Sequence, residues 1–420
     1  MIIDTIKKYE LCLGCGLCES ILTGGKCKMA ISEKGFYIPE LTSVPTKDEE
    51  RIIRQLCPGI HVEAKSNKGA WGSMKAIAEA WSSDEQIRFK AASGGVVSSL
   101  ALYLLEKKKV DAVFQVGVCE DSYLYNELKI SRTREDVMRN SQSRYAPAMV
   151  FNKIIQYLDA NADTYAFIGK PCDIAAARNL VSTYPKYAKR IKYYISIFCA
   201  GMPSYEATKI TWKQSGHIDA PISLKYRGDG WPGNFSAAFK DGTKYEITYN
   251  ESWGTVLNRH LPYRCKICPD GIGMLADIAV GDSWDTKDGY PDFTESQGRC
   301  FCMIRTEAGQ SLMKEAEENG YIIVQKLDID TIKEKQQYQY ERRKLTGWRL
   351  LPLQLFTLGL LNFKGLGIMK QAKELDFRKG INNMKGALIR LIKVTWGGVR
   401  YDIYNLYPCR LNEELRVSFV

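Results

Sequence analysis

Histidine is almost missing from this chain: three residues among 420, His61, His217 and His260, widely spaced. That scarcity excludes a histidine-built metal centre, so metal chemistry here would rest on sulfur. Long apolar runs are missing too. The longest near the C-terminus, LLPLQLFTLGLLNF (350–363), would cover about 21 Å as a helix and contains Pro352, short of a bilayer core of about 30 Å. No repeat or low-complexity tract is visible, and the opening MIIDTIKKYE carries no apolar signal segment. Thirteen cysteines in a long chain, an odd count, then argue for a reducing cytoplasm rather than a disulfide scaffold.

Charge is unevenly placed. The net charge is +11, yet residues 331–420 alone hold seventeen Lys or Arg against seven Asp or Glu. The body is near neutral, which argues against nucleic acid. The basic C-terminal region reads as a solvated face or as a contact for a membrane surface, where MKGALIRLIKVTW (384–396) is basic and amphipathic.

The cysteines carry the chemistry. Cys12, Cys15 and Cys18 stand at two-residue gaps in CLGCGLC, and Cys57 directly precedes Pro58. Three thiolates on one tight loop and a distant Cys-Pro suit a [4Fe-4S] cluster, with Gly14 and Gly16 letting the backbone curl around it. Cys27 competes for the fourth place, and four thiolates on zinc are the alternative chemistry. A second set is Cys172 in GKPC, Cys199 in IFCAG, and Cys265 with Cys268 in CKICPDG. Two of these would leave strand ends and two form a chelating pair, against the plainer reading of buried inert thiols. Cys119, Cys300, Cys302 and Cys409 lack ligand spacing.

Alternation of strand-like and helix-like segments predicts an α/β sheet: VDAVFQVGV, then TYAFIGKPCDIAAARNL with a strand near 165–168 and a helix from about Asp173, then YYISIFC followed by PSYEATKITWKQ. Ser93 is placed to cap a helix opening at ASGGVVSSLALYLLE. Residues 225–249 predict a hairpin with Asp-Gly turns. The expected organisation is a ferredoxin-type module at 1–65, an α/β flavin and iron-sulfur domain at 70–330, and a basic, mainly helical region at 331–420.

Taken together, CLGCGLC, ASGGVVSSLALYLLE, QSRYAP, GKPCDIAA, FCAGMPS and CKICPDGIGMLADIAVGDSW resemble the beta subunit of coenzyme F420-reducing hydrogenase and its relatives, including 7-hydroxymethyl chlorophyll a reductase, over about residues 10–325. The resemblance implies FAD and one or two [4Fe-4S] clusters, here two, converting one-electron into two-electron transfer. It places Ser93, Gly94 and Gly95 in a flavin-binding loop and Ser141, Ser143 and Tyr145 at the flavin edge. Lys170, where the commoner pattern has threonine, would add a cation beside Cys172. Asp277 would orient a ligand loop or contact the cofactor, and Trp284 would pack.

YRGDGWPGN departs from the hydrogenase pattern toward bacterial members found among polysaccharide-assembly proteins. Arg227, Asp229 and Trp231 are therefore expected where a substrate meets the flavin, Arg227 as an anion clamp and Asp229 as a proton donor or a plain turn residue. The expectation is an oxidoreductase taking electrons from ferredoxin or a similar carrier to a sugar, nucleotide-sugar or glycan intermediate. The alternatives are an F420-dependent beta subunit and a relay subunit without its own substrate. Peripheral membrane contact and homo-oligomerisation stay open.

Overall fold

In the computed structural model, which describes residues 1–65 and 69–395, a nine-stranded mixed sheet forms the centre. Its strands are β1 (Ala76–Ser82), β2 (Ala112–Cys119), β3 (Ser122–Ser131), β4 (Ala148–Met149), β5 (Tyr165–Gly169), β6 (Ile191–Ile197), β7 (Ile278–Asp282), β8 (Cys300–Ile304) and β9 (Ile322–Lys326), in the spatial order 9-1-8-7-6-5-2-3-4. The adjacent strands β7, β6, β5 and β2 run parallel, and antiparallel partners flank them on both sides. A parallel sheet must be covered on both faces. The sequence obeys: Val113, Ala166 and Ile195 face one cluster with the helix Val96–Glu106, while Ala112, Phe114, Tyr165, Phe167 and Tyr194 face another with the helix Pro171–Thr183. Period-two alternation of apolar residues therefore fills two cores from single strands.

The predicted elements are present with shifted edges. The helix expected from Asp173 begins at Pro171, because Pro suits the first helical position and Asp173 accepts from the Lys170 N–H at 3.1 Å. Ser93 does not cap its helix. The cap is Gly95 at φ 77°, and Ser93 Oγ instead lies 3.2 Å from Cys300 Sγ. The 225–249 hairpin is a three-stranded sheet (Ser223–Lys225, Phe235–Ala238, Lys244–Ile247), with the RGDGWPG stretch as an irregular loop inside it.

The C-terminal region is no appendage. Its helices Gln337–Thr357 and Phe377–Thr395 bury Leu350, Leu353 and Leu391 against Ile2, Ile3, Ile6 and Leu11 of the N-terminal segment, and Asn362–Lys364 pairs in parallel with His61–Glu63. The N-terminal segment and the helices within 337–395 share one core. Among the described residues no helix is long and apolar enough to cross a membrane. The tail beyond 395, with Cys409 and Trp396, and residues 66–68, between the expected first module and the next domain, lie outside the described residues.

Candidate redox site

The first cysteine loop is held against the sheet domain by the chain's own backbone. Phe151 N–H donates to Cys15 C=O at 2.8 Å, and Gly16, at φ 82°, comes so near Asn152 that an added Cβ would sit 2.9 Å from that residue's Cβ. Only glycine serves there. Cys57 follows the helix Lys47–Leu56, whose start is a capping box between Thr46 and Glu49, worth about 1 kcal/mol. Cys12, Cys15, Cys18 and Cys57 line one small apolar cavity together with Ile3, Ile6, Leu17, Ile53 and Pro58. Cys27 does not line it; it is buried beside Cys18, Sγ to Sγ 3.9 Å. Burial, and behind it the charges of Cys57 and Cys27, push the Cys12 thiol up to about 12. Deprotonated together, these sulfurs would crowd like charges into a buried site, which a multiply charged iron-sulfur centre would offset.

The second quartet also converges. Cys172 opens the helix after β5, Cys199 follows β6, and Cys265 and Cys268 come from the loop 263–268. Burial, then the Asp173 carboxylate and behind it Cys199 and Cys268, raise Cys172 well above a normal thiol; burial and then Cys265 push Cys199 up to about 12. Arg264 stands between the two quartets: buried, it donates to Gly59 C=O (2.6 Å) and Pro58 C=O (2.8 Å), and its charge opposes the rise of both Cys57 and Cys265. Among the described residues no three Cys, His, Asp or Glu side chains gather about a single metal ion.

A cavity of about 300 Å³ opens at the carboxyl ends of β2, β5, β6 and β7, where ligands of α/β sheets bind. Its wall includes Ser93, Gly95, Ser141, Ser143, Tyr145, Lys170 and Cys199. The helix after Gly95 has no side-chain cap, and Val96, Val97 and Ser98 of its first turn line the cavity. Lys170 Nζ lies 2.7 Å from Asp173 Oδ2. Burial alone would lower the Lys170 pKa, but Asp173, Cys172 and Cys199 outweigh it and hold the ammonium charged. A helix start without a side-chain cap, a cation and hydroxyl-bearing side chains suit the phosphates and ring edge of FAD. Those residues fit the group.

Residues 77–155 and 162–330 match the N-terminal and the C-terminal models, respectively, of the family described as "Coenzyme F420 hydrogenase/dehydrogenase, beta subunit". The chain belongs to this beta-subunit family. It is 27% identical over 266 residues to the coenzyme F420 hydrogenase subunit beta of Methanococcus voltae, covering 63% of this chain and 88% of that one. It is 29% identical over 243 residues to an F420-dependent formate dehydrogenase subunit beta of Methanococcus maripaludis, covering 57% and 59%. The coenzyme F420-dependent sulfite reductase of Methanocaldococcus jannaschii is 25% identical over 266 residues, 60% of this chain and 38% of the relative. In fold, the chain is similar to one in the F420-reducing [NiFe] hydrogenase complex of Methanosarcina barkeri, with TM-score 0.52, 18% identity, and coverage of 67% and 94%.

Within this family fold several expected site residues take other places. Arg227, although on the cavity wall, is not a free clamp: its guanidinium is paired in two bonds with Asp282 (3.0 and 3.1 Å) and donates to Pro232 C=O at 2.8 Å. Trp231 is buried behind it, stacked on Trp284 with centroids 4.6 Å apart, and its Nε1 donates to Asp282 Oδ1 at 2.8 Å. Asp229 is exposed at φ 54°, paired with Lys225, and is not on the cavity wall. Gly94 packs on Arg299 and Cys300 rather than the cavity. Asp277 precedes β7 at the far end of the sheet, where it accepts from Arg178 (3.0 Å), Tyr194 N–H (2.8 Å) and Thr306 (2.9 Å), a role in the fold. Gln115 and Gln339, on the cavity wall, escaped the sequence reading, and Asp282, part of the GDSW motif at the carboxyl end of a strand, had no role assigned to it there.

Proposed function

We propose that this chain is the electron-transfer beta subunit of an oxidoreductase that exchanges electrons between coenzyme F420, or a carrier of the same deazaflavin chemistry, and a one-electron partner. Bound FAD would exchange electrons in pairs as hydride, and [4Fe-4S] clusters would exchange them singly. The supporting observation is a shared wall: Cys199 of the second quartet lines the same cavity as the uncapped helix start after Gly95. Lys170 would neutralise negative charge at that wall. Ser141, Ser143 and Tyr145 would orient the ring, and the Trp231–Trp284 stack with Arg227 would close the cavity against water. Cys12, Cys15, Cys18 and Cys57 would hold the outer cluster, and Cys172, Cys199, Cys265 and Cys268 the inner one.

The M. voltae, M. maripaludis and M. jannaschii relatives are named for F420 chemistry, and the M. barkeri chain is part of a complex. That favours F420 and a partner subunit over a sugar, nucleotide-sugar or glycan substrate, to which none of these relatives points. The test is to follow flavin absorbance of anaerobically purified protein during additions of reduced F420 and of reduced ferredoxin. Bleaching by reduced F420 is the expected result. A flavin that ferredoxin reduces and F420 does not would overturn the assignment.

A further inference from the structure

The helix Gln337–Thr357 begins beyond the last residue that the family models match, yet it grips the second cysteine quartet. Arg342 donates from Nη1 to Cys199 C=O at 2.9 Å and from Nη2 to Cys265 C=O at 2.8 Å. Gln339 Nε2 also donates to Cys199 C=O, at 3.0 Å, and Thr346 Oγ1 reaches Cys268 C=O at 3.3 Å. Three residues one helical turn apart thus touch the backbones of three of the four cysteines. Arg342 is only 5% exposed, and its Nη1 and Nη2 are held on carbonyls of the quartet's own segments. A guanidinium is always charged, and burying one without an anion is costly. An anionic cluster on the quartet would supply that anion.

We infer that Arg342 is a positioning residue for the inner cluster: it ties the Cys199 and Cys265 segments together and raises the reduction potential of the cluster they hold. The inference rests on the cluster assignment above. Potential follows the net charge and hydrogen bonding around a cluster, and a fixed cation favours the reduced, more anionic state. The C-terminal region therefore completes the redox centre.

The test is an anaerobic redox titration of the full chain followed by electron paramagnetic resonance, with iron analysis, on the unaltered protein and on R342Q, R342K and Q339L. Two cluster signals are expected in the unaltered protein; iron for one cluster would overturn the cluster assignment itself, and this inference with it. R342Q should shift one signal to lower potential by at least tenfold in its reduction equilibrium, about 59 mV for a one-electron couple, and leave the other in place. R342K, which keeps the charge, should recover most of that shift. Loss of a single cluster's iron in R342Q, with both clusters kept in R342K, supports the same role. Q339L, which removes one donor without removing charge, should shift the same signal less and in the same direction. Unmoved potentials in R342Q and Q339L at full iron would overturn the inference.

Discussion

Arg227 and Asp282, 55 positions apart, form a two-bonded ion pair at the rim of the cavity, with Arg227 Nη1 to Asp282 Oδ2 at 3.0 Å and Nη2 to Oδ1 at 3.1 Å. Trp231 adds a third donor to the same carboxylate. The pair joins the irregular RGDGWPG loop to the end of a central strand, and so fixes where that loop meets the cavity.

Replacing Asp282 by Asn strands a buried guanidinium. Removing one partner of a buried pair costs about 3 kcal/mol, and a loss of that size is expected in chemical denaturation of D282N. Loss of bound flavin should accompany it.

Cys57 and Cys27 make opposite predictions. C57S removes a sulfur from the cavity shared by Cys12, Cys15 and Cys18 and should lower iron and sulfide content by about half in anaerobic preparations. C27S, outside that cavity, should retain its iron.

Lys170, paired with Asp173, is one of the cations on the cavity wall. K170Q should weaken FAD binding about tenfold, equivalent to about 1.4 kcal/mol, measured by fluorescence titration of the deflavinated protein. Unchanged affinity would remove Lys170 from the flavin site.

Asp229 is exposed and away from the cavity wall. D229N should leave turnover with reduced F420 within about twofold and stability within about 0.5 kcal/mol, as for ordinary surface changes. A loss near a hundredfold would restore it as a proton donor.

Local pattern carried much of the architecture. Strands such as TYAFIG and YYISIF announce themselves by β-branched and aromatic runs that end at glycine or cysteine, and the helix after GKPC by its proline. The loop spacing of Cys12, Cys15 and Cys18 is equally local. Gly95 as the cap in place of Ser93 was not legible, because the choice turns on a left-handed backbone angle beside Ile87 and Ser82, packed from another segment. The exclusion of Asp277 from the cavity was not legible either. Both ends of a strand look alike in sequence, and its neighbours Arg178, Tyr194 and Thr306 come from three separate elements.

From the residues alone, then, come sulfur as the bearer of the chemistry, an alternating α/β body and the resemblance to the beta-subunit family, since these depend on composition, short spacing and periodicity along the chain. Tertiary structure alone decided that Arg227 is bound to Asp282 and that Arg342 reaches the second quartet from the basic C-terminal region. The reason is physical: a buried charge or thiol is defined by whatever closes around it, and here the closing groups come from distant parts of the chain.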